Sequence, residues 1–124
     1  MSARSPLARV EGLGAAHSGT GHFWRQRVTA VALVPLTIWF VFMALTLIGA
    51  DRDTALTFLK MPVNAVLMAL FIVAALTHMQ LGLQVVIEDY IHHEGRKIAL
   101  LLLNQFFAWT MAAACLFALV KIAL

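Results

Sequence analysis

The chain has 124 residues, of which 62% are hydrophobic and only 12% are charged. Soluble domains usually contain about 45–50% apolar and about 25% charged residues, so this composition excludes an ordinary soluble globular domain. The net charge of +3 does not indicate a nucleic-acid-binding surface, because the basic residues stand singly or in pairs around apolar segments. The one cysteine, Cys115, excludes an intrachain disulfide and is interpreted as a small apolar packing residue.

The first 27 residues are polar and are predicted to form an N-terminal arm followed by an interfacial collar. Residues 1–21 are rich in Gly, Ser and Ala, which predicts an extended or irregular arm. The sequence HFWRQR, residues 22–27, is interpreted as the collar, because Trp24 suits the headgroup belt and the arginines can reach lipid phosphates.

Three uncharged runs follow the collar, at residues 28–50, 61–87 and 98–120. A transmembrane helix needs about 20 predominantly apolar residues, and each run is at least that long. The sequence therefore predicts an all-α integral membrane protein. Its transmembrane anchor domain covers residues 28–124, with helices at about 28–50, 62–90 and 97–122.

Proline and glycine divide this domain. Pro35 is expected to kink the first span, because it frees a backbone carbonyl one turn earlier. Residues 51–60 are predicted to form a short outer loop or surface helix, and Pro62 suits the first position of the second span. The sequence EDYIHHEGRK, residues 88–97, is predicted to be the inner turn, with Gly95 as the helix stop.

The basic residues predict the orientation of the spans. With the N-terminus inside, the inner side holds six Lys and Arg residues and the outer side three: Arg4, Arg9, Arg25, Arg27, Arg96 and Lys97 against Arg52, Lys60 and Lys121. The positive-inside rule then predicts a cytoplasmic N-terminus and a periplasmic C-terminus in a bacterial inner membrane. The mitochondrial inner membrane, with the N-terminus in the matrix, is the alternative.

His78 is an ionisable residue deep inside the second span. It lies ten residues before Glu88, which is about 15 Å along a helix and half of a hydrocarbon core of about 30 Å. A ring at this depth must be neutral and bonded, because an unsatisfied polar group in hydrocarbon costs several kcal/mol. Its ring can form an interhelical hydrogen bond, relay protons or act as a ligand.

Three spans with few polar residues make a poor pore, which indicates a subunit that packs against something larger.

The face of the second span around His78 fits an edge-on haem. At about 100° per residue, Gly82, Val85 and Asp89 lie within roughly 40° of His78. Gly82 removes a side chain where a flat ligand would press on the helix, although ordinary helix packing explains it as well. Neutral imidazole is a common axial ligand of haem iron. The chain's other histidines lie at or outside the interface: His17, His22, His92 and His93. If His78 binds haem, a second axial ligand must therefore come from another subunit.

Other polar residues collect at the inner interface. Tyr90 can donate a hydrogen bond to a carbonyl of a lipid-soluble molecule or serve as an interfacial anchor. Asp89 can hold that tyrosine, carry protons or simply end the helix. Arg25 and Arg27 can pair with haem propionates, although lipid phosphate is the favoured partner. A solvated loop or subunit contact, rather than a metal site, is favoured for the adjacent residues His92, His93 and Glu94.

Two motifs resemble one known family. The residues His78, Gly82, Asp89 and Tyr90 resemble the second helix of the small membrane-anchor subunit, the D subunit, of succinate dehydrogenase. The sequence HFWRQRVTAVALVPL, residues 22–36, resembles the start of the first span in its alphaproteobacterial and mitochondrial-like members, whose anchors are of the cytochrome b556 type. Chain length and the order of the three spans fit the same family.

The resemblance implies specific residues. It implies that His78 is one axial ligand of a haem b and that the large cytochrome b anchor subunit supplies the other. It implies that Arg27 lies near the haem propionates and the quinone site, with His22 as a further haem-contacting candidate beside Gly82. It also implies that Tyr90 donates a hydrogen bond to ubiquinone, with Asp89 close by.

The function implied by the resemblance is that of a membrane anchor in succinate:quinone oxidoreductase, respiratory complex II. Its FAD would lie in a flavoprotein subunit and its iron–sulfur clusters in a second soluble subunit, and the chain would not be catalytic in isolation. Two other functions stay open on the residues: a proton-coupled transporter or channel subunit that uses His78 as a relay, and a structural packing protein. The direction of the reaction and the choice between ubiquinone and menaquinone also stay open.

Overall fold

The structure is a computed structural model that describes residues 19–124. These residues form four helices and no strand: α1 Gly19–Thr46, α2 Arg52–Lys60, α3 Pro62–Tyr90 and α4 Glu94–Ala123. By length and composition, α1, α3 and α4 can each cross a membrane. The prediction of an all-α chain with three membrane spans is therefore confirmed.

The largest difference from the predicted boundaries is in α1, which begins at residue 19 rather than 28 and ends at 46 rather than 50. The collar, residues 22–27, forms the first turns of α1, because a helix can continue past its apolar run where no helix breaker stands. Gly49 follows in the left-handed region with a φ of 77°, which favours glycine. Residues 1–18 of the predicted arm, including His17, lie outside the described residues.

Pro35 and Gly95 both lie inside helices. Helix α1 continues through Pro35, and the predicted kink there stays a prediction. The prediction that Gly95 stops a helix is wrong, since Gly95 is the second residue of α4. The chain turns just before it, where Ile91 and His93 are extended. His93 Nδ1 accepts a hydrogen bond from Arg96 N at 3.4 Å, so a side-chain cap starts α4 ahead of Gly95 and includes the glycine in its first turn.

The connection between the first two spans forms the surface helix α2. The sequence predicted either a short outer loop or a surface helix here. Asp51 caps α2 by accepting a hydrogen bond from Thr54 N at 2.9 Å. Hydrogen bonds from Thr54 hold the pKa of the exposed Asp51 carboxyl below its usual value. Pro62 occupies the first turn of α3 as predicted, where its missing N–H leaves no helical hydrogen bond unmade.

The three spans pack in a row with α3 in the middle. α1 contacts one side of α3 and α4 another, whereas no Cα atom described in α1 lies within 8 Å of one in α4. Phe40 of α1 stacks on Phe71 of α3 with ring centroids 4.6 Å apart. Only 6–11% of the most apolar window in each span is buried within the chain. So much exposed apolar surface requires lipid or partner helices around it.

Candidate functional site

His78 lies close to the middle of α3. That helix runs from residue 62 to residue 90, so its midpoint is residue 76, two residues from His78. The helix is about 44 Å long at 1.5 Å per residue and exceeds a hydrocarbon core of about 30 Å. The bounds of α3 thus agree with a ring near mid-membrane depth, and the ring is partly buried inside the chain.

One nitrogen of the His78 ring is held by α1. Thr29 Oγ1 lies 3.1 Å from His78 Nδ1. The same hydroxyl lies 2.9 Å from the carbonyl oxygen of Arg25 and 3.1 Å from that of Gln26, so it is also tied to the backbone of its own helix. The other ring nitrogen, Nε2, makes no hydrogen bond to any residue from 19 to 124. Among the described residues, no group competes with a ligand for that atom.

The Thr29–His78 contact belongs to a line of polar groups between two helices, which we call the α1–α3 seam: His22, Gln26 and Thr29 of α1 with His78 and Gly82 of α3. Spacings of four and three residues put the α1 members on one face. His22 Nε2 and Gln26 Oε1 are buried there without a hydrogen-bond partner among the described residues. Such atoms cost free energy unless another group pairs with them, so the seam has unused bonding capacity.

Gly82 lies beside Gln26 in the seam. A Cβ atom added at Gly82 would lie 3.6 Å from Gln26 Nε2, which is an ordinary van der Waals contact, so an alanine would fit there as well. The nearness of Gln26 favours the helix-packing explanation on that side. Its predicted place beside a haem stays a prediction.

The two collar arginines point to different parts of the surface. Arg27 is two residues before Thr29 and lies about 160° away from it around α1, so it faces away from His78. Its guanidinium carbon lies 4.9 Å from the centroid of the Phe23 ring, in a cation–π contact. Arg25 lies only about 40° from Thr29 around the helix. The structure thus places Arg25, rather than Arg27, on the side of α1 nearer to α3.

Arg25 lines a recess between α1 and α4 that has a volume of about 200 Å³. Its other polar lining groups come from α3 and α4: Thr77, Gln80, Gln105 and Trp109. The recess lies over a different face of α3 from His78, because Gln80 is about 160° from His78 around the helix. It is therefore separate from the α1–α3 seam.

The α3–α4 interface is held by amide groups. Gln80 Nε2 donates to Gln105 Oε1 at 3.1 Å, and Asn104 Nδ2 donates to the carbonyl oxygen of Gln80 at 2.9 Å. Asn104 is 7% exposed and is the one buried polar residue among those described. These bonds join α3 to α4 near the level of His78, and they use most of the polar capacity of this interface. Asn104 Oδ1 alone lacks a partner among the described atoms there.

Asp89 and Tyr90, the predicted quinone-binding pair, end α3 and are exposed. The Tyr90 side chain is 77% exposed. It lies twelve residues from His78, which is about 18 Å along the helix. Nearby, Gln84 Nε2 donates to Glu88 Oε1 at 2.9 Å. The structure therefore separates the predicted haem ligand from the predicted quinone residues and puts the latter on a surface that another molecule can cover.

The histidines of the inner turn make local contacts in the structure. No group of three or more His, Cys, Asp or Glu side chains with metal-binding proximity occurs within residues 19–124. His93 instead caps α4, and the exposed Glu94 lies 3.9 Å from the partly buried Lys97 in an ion pair. The favoured interpretation of this turn as a loop agrees with these contacts.

Sequence reasoning did not single out Thr29 or Gln26 as site residues. The signal that identifies them is a polar residue at each of positions 22, 26 and 29, in a helix whose residues beyond 27 are apolar apart from three threonines. This spacing of four and three residues puts them on one face of α1. A histidine in the neighbouring span gives that face a partner, but only the structure shows which of the three reaches it.

Comparison with known proteins identifies the family. The family model described as "Succinate dehydrogenase/Fumarate reductase transmembrane subunit" matches residues 1–113. The succinate dehydrogenase hydrophobic membrane anchor subunit of Paracoccus denitrificans is 35% identical over 120 residues, covering 97% of this chain and 92% of the relative. The subunit of the same name from Rickettsia bellii is 31% identical over 105 residues, covering 85% and 84%.

A further relative extends the comparison beyond these bacteria. The succinate dehydrogenase membrane anchor subunit of Reclinomonas americana is 33% identical over 94 residues, covering 73% of this chain and 78% of the relative. No solved structure matches the chain. The resemblance drawn from the two motifs is confirmed, and the chain belongs to the family of succinate dehydrogenase and fumarate reductase transmembrane subunits.

Proposed function

We propose that this chain is the small membrane-anchor subunit of a succinate:quinone oxidoreductase and that it shares a haem b with a larger anchor subunit. The observation that carries the proposal is the state of the His78 ring near the middle of α3. Its Nδ1 is engaged by Thr29, while its Nε2 bonds to no described residue. An imidazole fixed through one nitrogen and open at the other is the usual form of a histidine that binds a metal.

Two residues of the seam fit a haem. His78 Nε2 would supply the axial ligand, and a bound haem would supply a one-electron carrier. The orphaned His22 Nε2 could donate to a propionate carboxylate and so gain the partner that it lacks within the described residues. Arg27 is exposed on the side of α1 turned away from His78, so it would meet a propionate only on a surface that a partner subunit covers.

The second axial ligand would come from the large anchor subunit. The described histidines besides His78 are His22 near the start of α1 and His92 and His93 in the inner turn. Each lies near a helix end rather than at the middle of a span, so none shares the depth of His78. With two histidine ligands the iron would have no open coordination position, which suits electron transfer rather than oxygen activation.

Tyr90 and Asp89 are proposed to bind the quinone. Tyr90 is the only tyrosine of the chain, and its exposed phenol at the end of α3 could donate a hydrogen bond to a ubiquinone carbonyl. Asp89 precedes it in the last turn and could hold the phenol or pass protons from the inner side. A phenol that donates to the carbonyl orients the ring and stabilises the negative charge that reduction places on the oxygen.

The remaining parts of the enzyme would lie in partner chains. Succinate would be oxidised at an FAD in a flavoprotein subunit, and iron–sulfur clusters in a second subunit would carry the electrons to the quinone. This chain would hold the quinone at the inner face and is not catalytic alone. The largely exposed apolar spans support packing against lipid and a second anchor subunit. By the positive-inside rule, the N-terminus would be cytoplasmic and the C-terminus periplasmic.

The proposed function is tested by isolating the complex from its native membrane through a tag on this chain. We expect three further subunits, a haem b spectrum and succinate-driven reduction of a short-chain ubiquinone. A colourless preparation without succinate dehydrogenase activity would contradict the proposal and would favour a transporter subunit or a packing protein. Succinate-driven quinone reduction by a complex without haem would support the anchor function and contradict the proposed haem site.

A further inference from the structure

The hydroxyl of Thr29 contacts more acceptors than it has protons. It lies 2.9 Å from Arg25 O, 3.1 Å from Gln26 O and 3.1 Å from His78 Nδ1. A hydroxyl has one proton to donate and two lone pairs with which to accept. The backbone carbonyl oxygens can only accept, whereas a ring nitrogen can do either. The single proton cannot serve all three contacts fully, and among the three partners only the ring nitrogen can instead donate a proton to the hydroxyl.

The direction of each bond follows from the helix. A threonine inside a helix characteristically donates to the carbonyl three or four residues earlier, and Arg25 and Gln26 stand at those positions. The shorter of the three contacts is the one to Arg25 O. With the hydroxyl proton directed to the backbone, the lone pairs of Thr29 Oγ1 face His78. Nδ1 then carries the proton of the neutral ring and donates it.

We infer that Thr29 is the positioning residue of His78: its hydroxyl accepts the Nδ1–H bond, fixes the tautomer and leaves the lone pair of Nε2 free for iron. The inference rests on the proposed haem site and adds to it a residue that neither motif identifies. The same hydrogen bond restrains rotation of the ring about its bond to the backbone. It also increases the electron density at Nε2, as hydrogen bonding at the second nitrogen does for metal-bound histidines.

The test compares the wild-type complex with Thr29→Val and Thr29→Ser complexes. Valine keeps the branched shape and loses the hydroxyl, while serine keeps the hydroxyl. The first readout is the rate at which haem leaves the purified complex for added apomyoglobin. Loss of a hydrogen bond of this kind typically weakens metal binding about 10–100-fold, so we expect transfer at least about 10-fold faster in Thr29→Val. Thr29→Ser should stay close to the wild type.

The midpoint potential of the haem is the second readout. If Thr29 had only a structural role, its replacement would not shift this potential in a defined direction. The Nδ1–H bond makes the ring a stronger electron donor, which favours ferric iron. We expect Thr29→Val to raise the potential and Thr29→Ser to leave it nearly unchanged. Thr46→Val is the matched control, because Thr46 also bonds to its own helix, at 2.8 Å from Met43 O, but lies at the far end of α1.

Two outcomes separate this inference from the proposed function. If the wild-type complex contains haem and Thr29→Val matches it in both transfer rate and potential, the inference is overturned while the haem site stands. If the wild-type complex contains no haem, the proposed haem site itself fails. Should Thr29→Val not assemble, Thr29→Ala and Thr29→Ser decide, because both lose the same methyl group and only serine keeps the hydroxyl. Equal behaviour of that pair would overturn the inference.

Discussion

The two sides of α3 both carry polar side chains, and they differ in how those side chains are paired. Toward α4, Gln80, Gln105 and Asn104 bond mainly to one another and to the backbone, with contacts of 2.9 and 3.1 Å. Toward α1, the seam has one cross-helix hydrogen bond among the described residues, between Thr29 Oγ1 and His78 Nδ1. It leaves His22 Nε2 and Gln26 Oε1 buried without partners in the described chain.

The difference separates assembly from ligand binding. Interhelical hydrogen bonds in membranes contribute about 0.6 kcal/mol on average, so the amide contacts stabilise the α3–α4 pair modestly. An orphaned buried polar atom costs about 1–3 kcal/mol, which a further molecule can recover by pairing with it. The α3–α4 interface has nearly satisfied its own groups, whereas the α1–α3 seam keeps two buried polar atoms without partners among residues 19–124.

The largest effect is expected from replacing one polar side chain by leucine at each of the two interfaces of α3. His78→Leu should remove nearly all haem b from the complex, because no other described side chain at that depth offers an imidazole. Gln105→Leu should keep the haem, since it breaks only the amide contact with Gln80. Haem per flavin, measured on complexes isolated through this chain, compares the two. Equal haem in both complexes would contradict the contrast between the interfaces.

A second prediction concerns the exposed inner end of α3. Tyr90→Phe should lower succinate-driven quinone reduction about 2- to 10-fold, since one hydrogen bond contributes about 0.5–1.5 kcal/mol and about 1.36 kcal/mol is tenfold in rate. Haem content should not change, because Tyr90 lies about 18 Å along α3 from His78. Succinate oxidation with a water-soluble artificial acceptor is the control and should be unaffected. An unchanged rate with quinone would assign Tyr90 to lipid anchoring.

The α3–α4 side should respond in stability rather than in spectrum. Asn104→Ala removes the bond from Nδ2 to Gln80 O and should cost about 1 kcal/mol. The midpoint of thermal dissociation of the complex in detergent measures this loss, with the haem absorbance recorded alongside. Loss of haem before any loss of stability would show that this interface also supports the ligand site.

The smallest effect is expected outside the membrane, at the cap of α2. Hydrogen bonds from Thr54 hold the pKa of Asp51 below its ordinary value of 3.8, so its carboxylate stabilises α2 above that value and loses the effect as the pH falls through the lower, folded-state pKa. Asp51→Ala should therefore speed amide exchange in the first turn of α2 at neutral pH. The difference from wild type should vanish in acid; a difference that persists there would refute the capping account.

The sequence predicts the spans well because the solvent imposes their length: each apolar run must cross about 30 Å, and α3 has the predicted bounds of 62–90. The start of α1 is missed because the collar residues are polar and hydropathy cannot reveal a helix that continues beyond the hydrocarbon. The predicted helix stop at Gly95 is wrong because a rule based on residue type alone takes no account of the His93 cap. In each case a local hydrogen bond or helical continuity decides the boundary.

The candidate site divides in a similar way. His78 is identifiable from the sequence because an imidazole in an apolar run needs a partner, and its depth follows from counting residues to Glu88. Thr29 is not identifiable in this way, because its contact with His78 depends on the rotation of α1 against α3. Arg25 and Arg27 look equivalent in the sequence. They differ only in that they lie on opposite sides of α1.

The most direct test of the central claim is an experimental structure of the whole complex at a resolution that shows the haem and the His78 ring. We predict continuous density from His78 Nε2 to the haem iron, with Nδ1 within hydrogen-bond distance of the Thr29 hydroxyl and a histidine of another subunit on the opposite face. An iron bound by other residues, with the His78 ring touching only protein or lipid, would contradict the account.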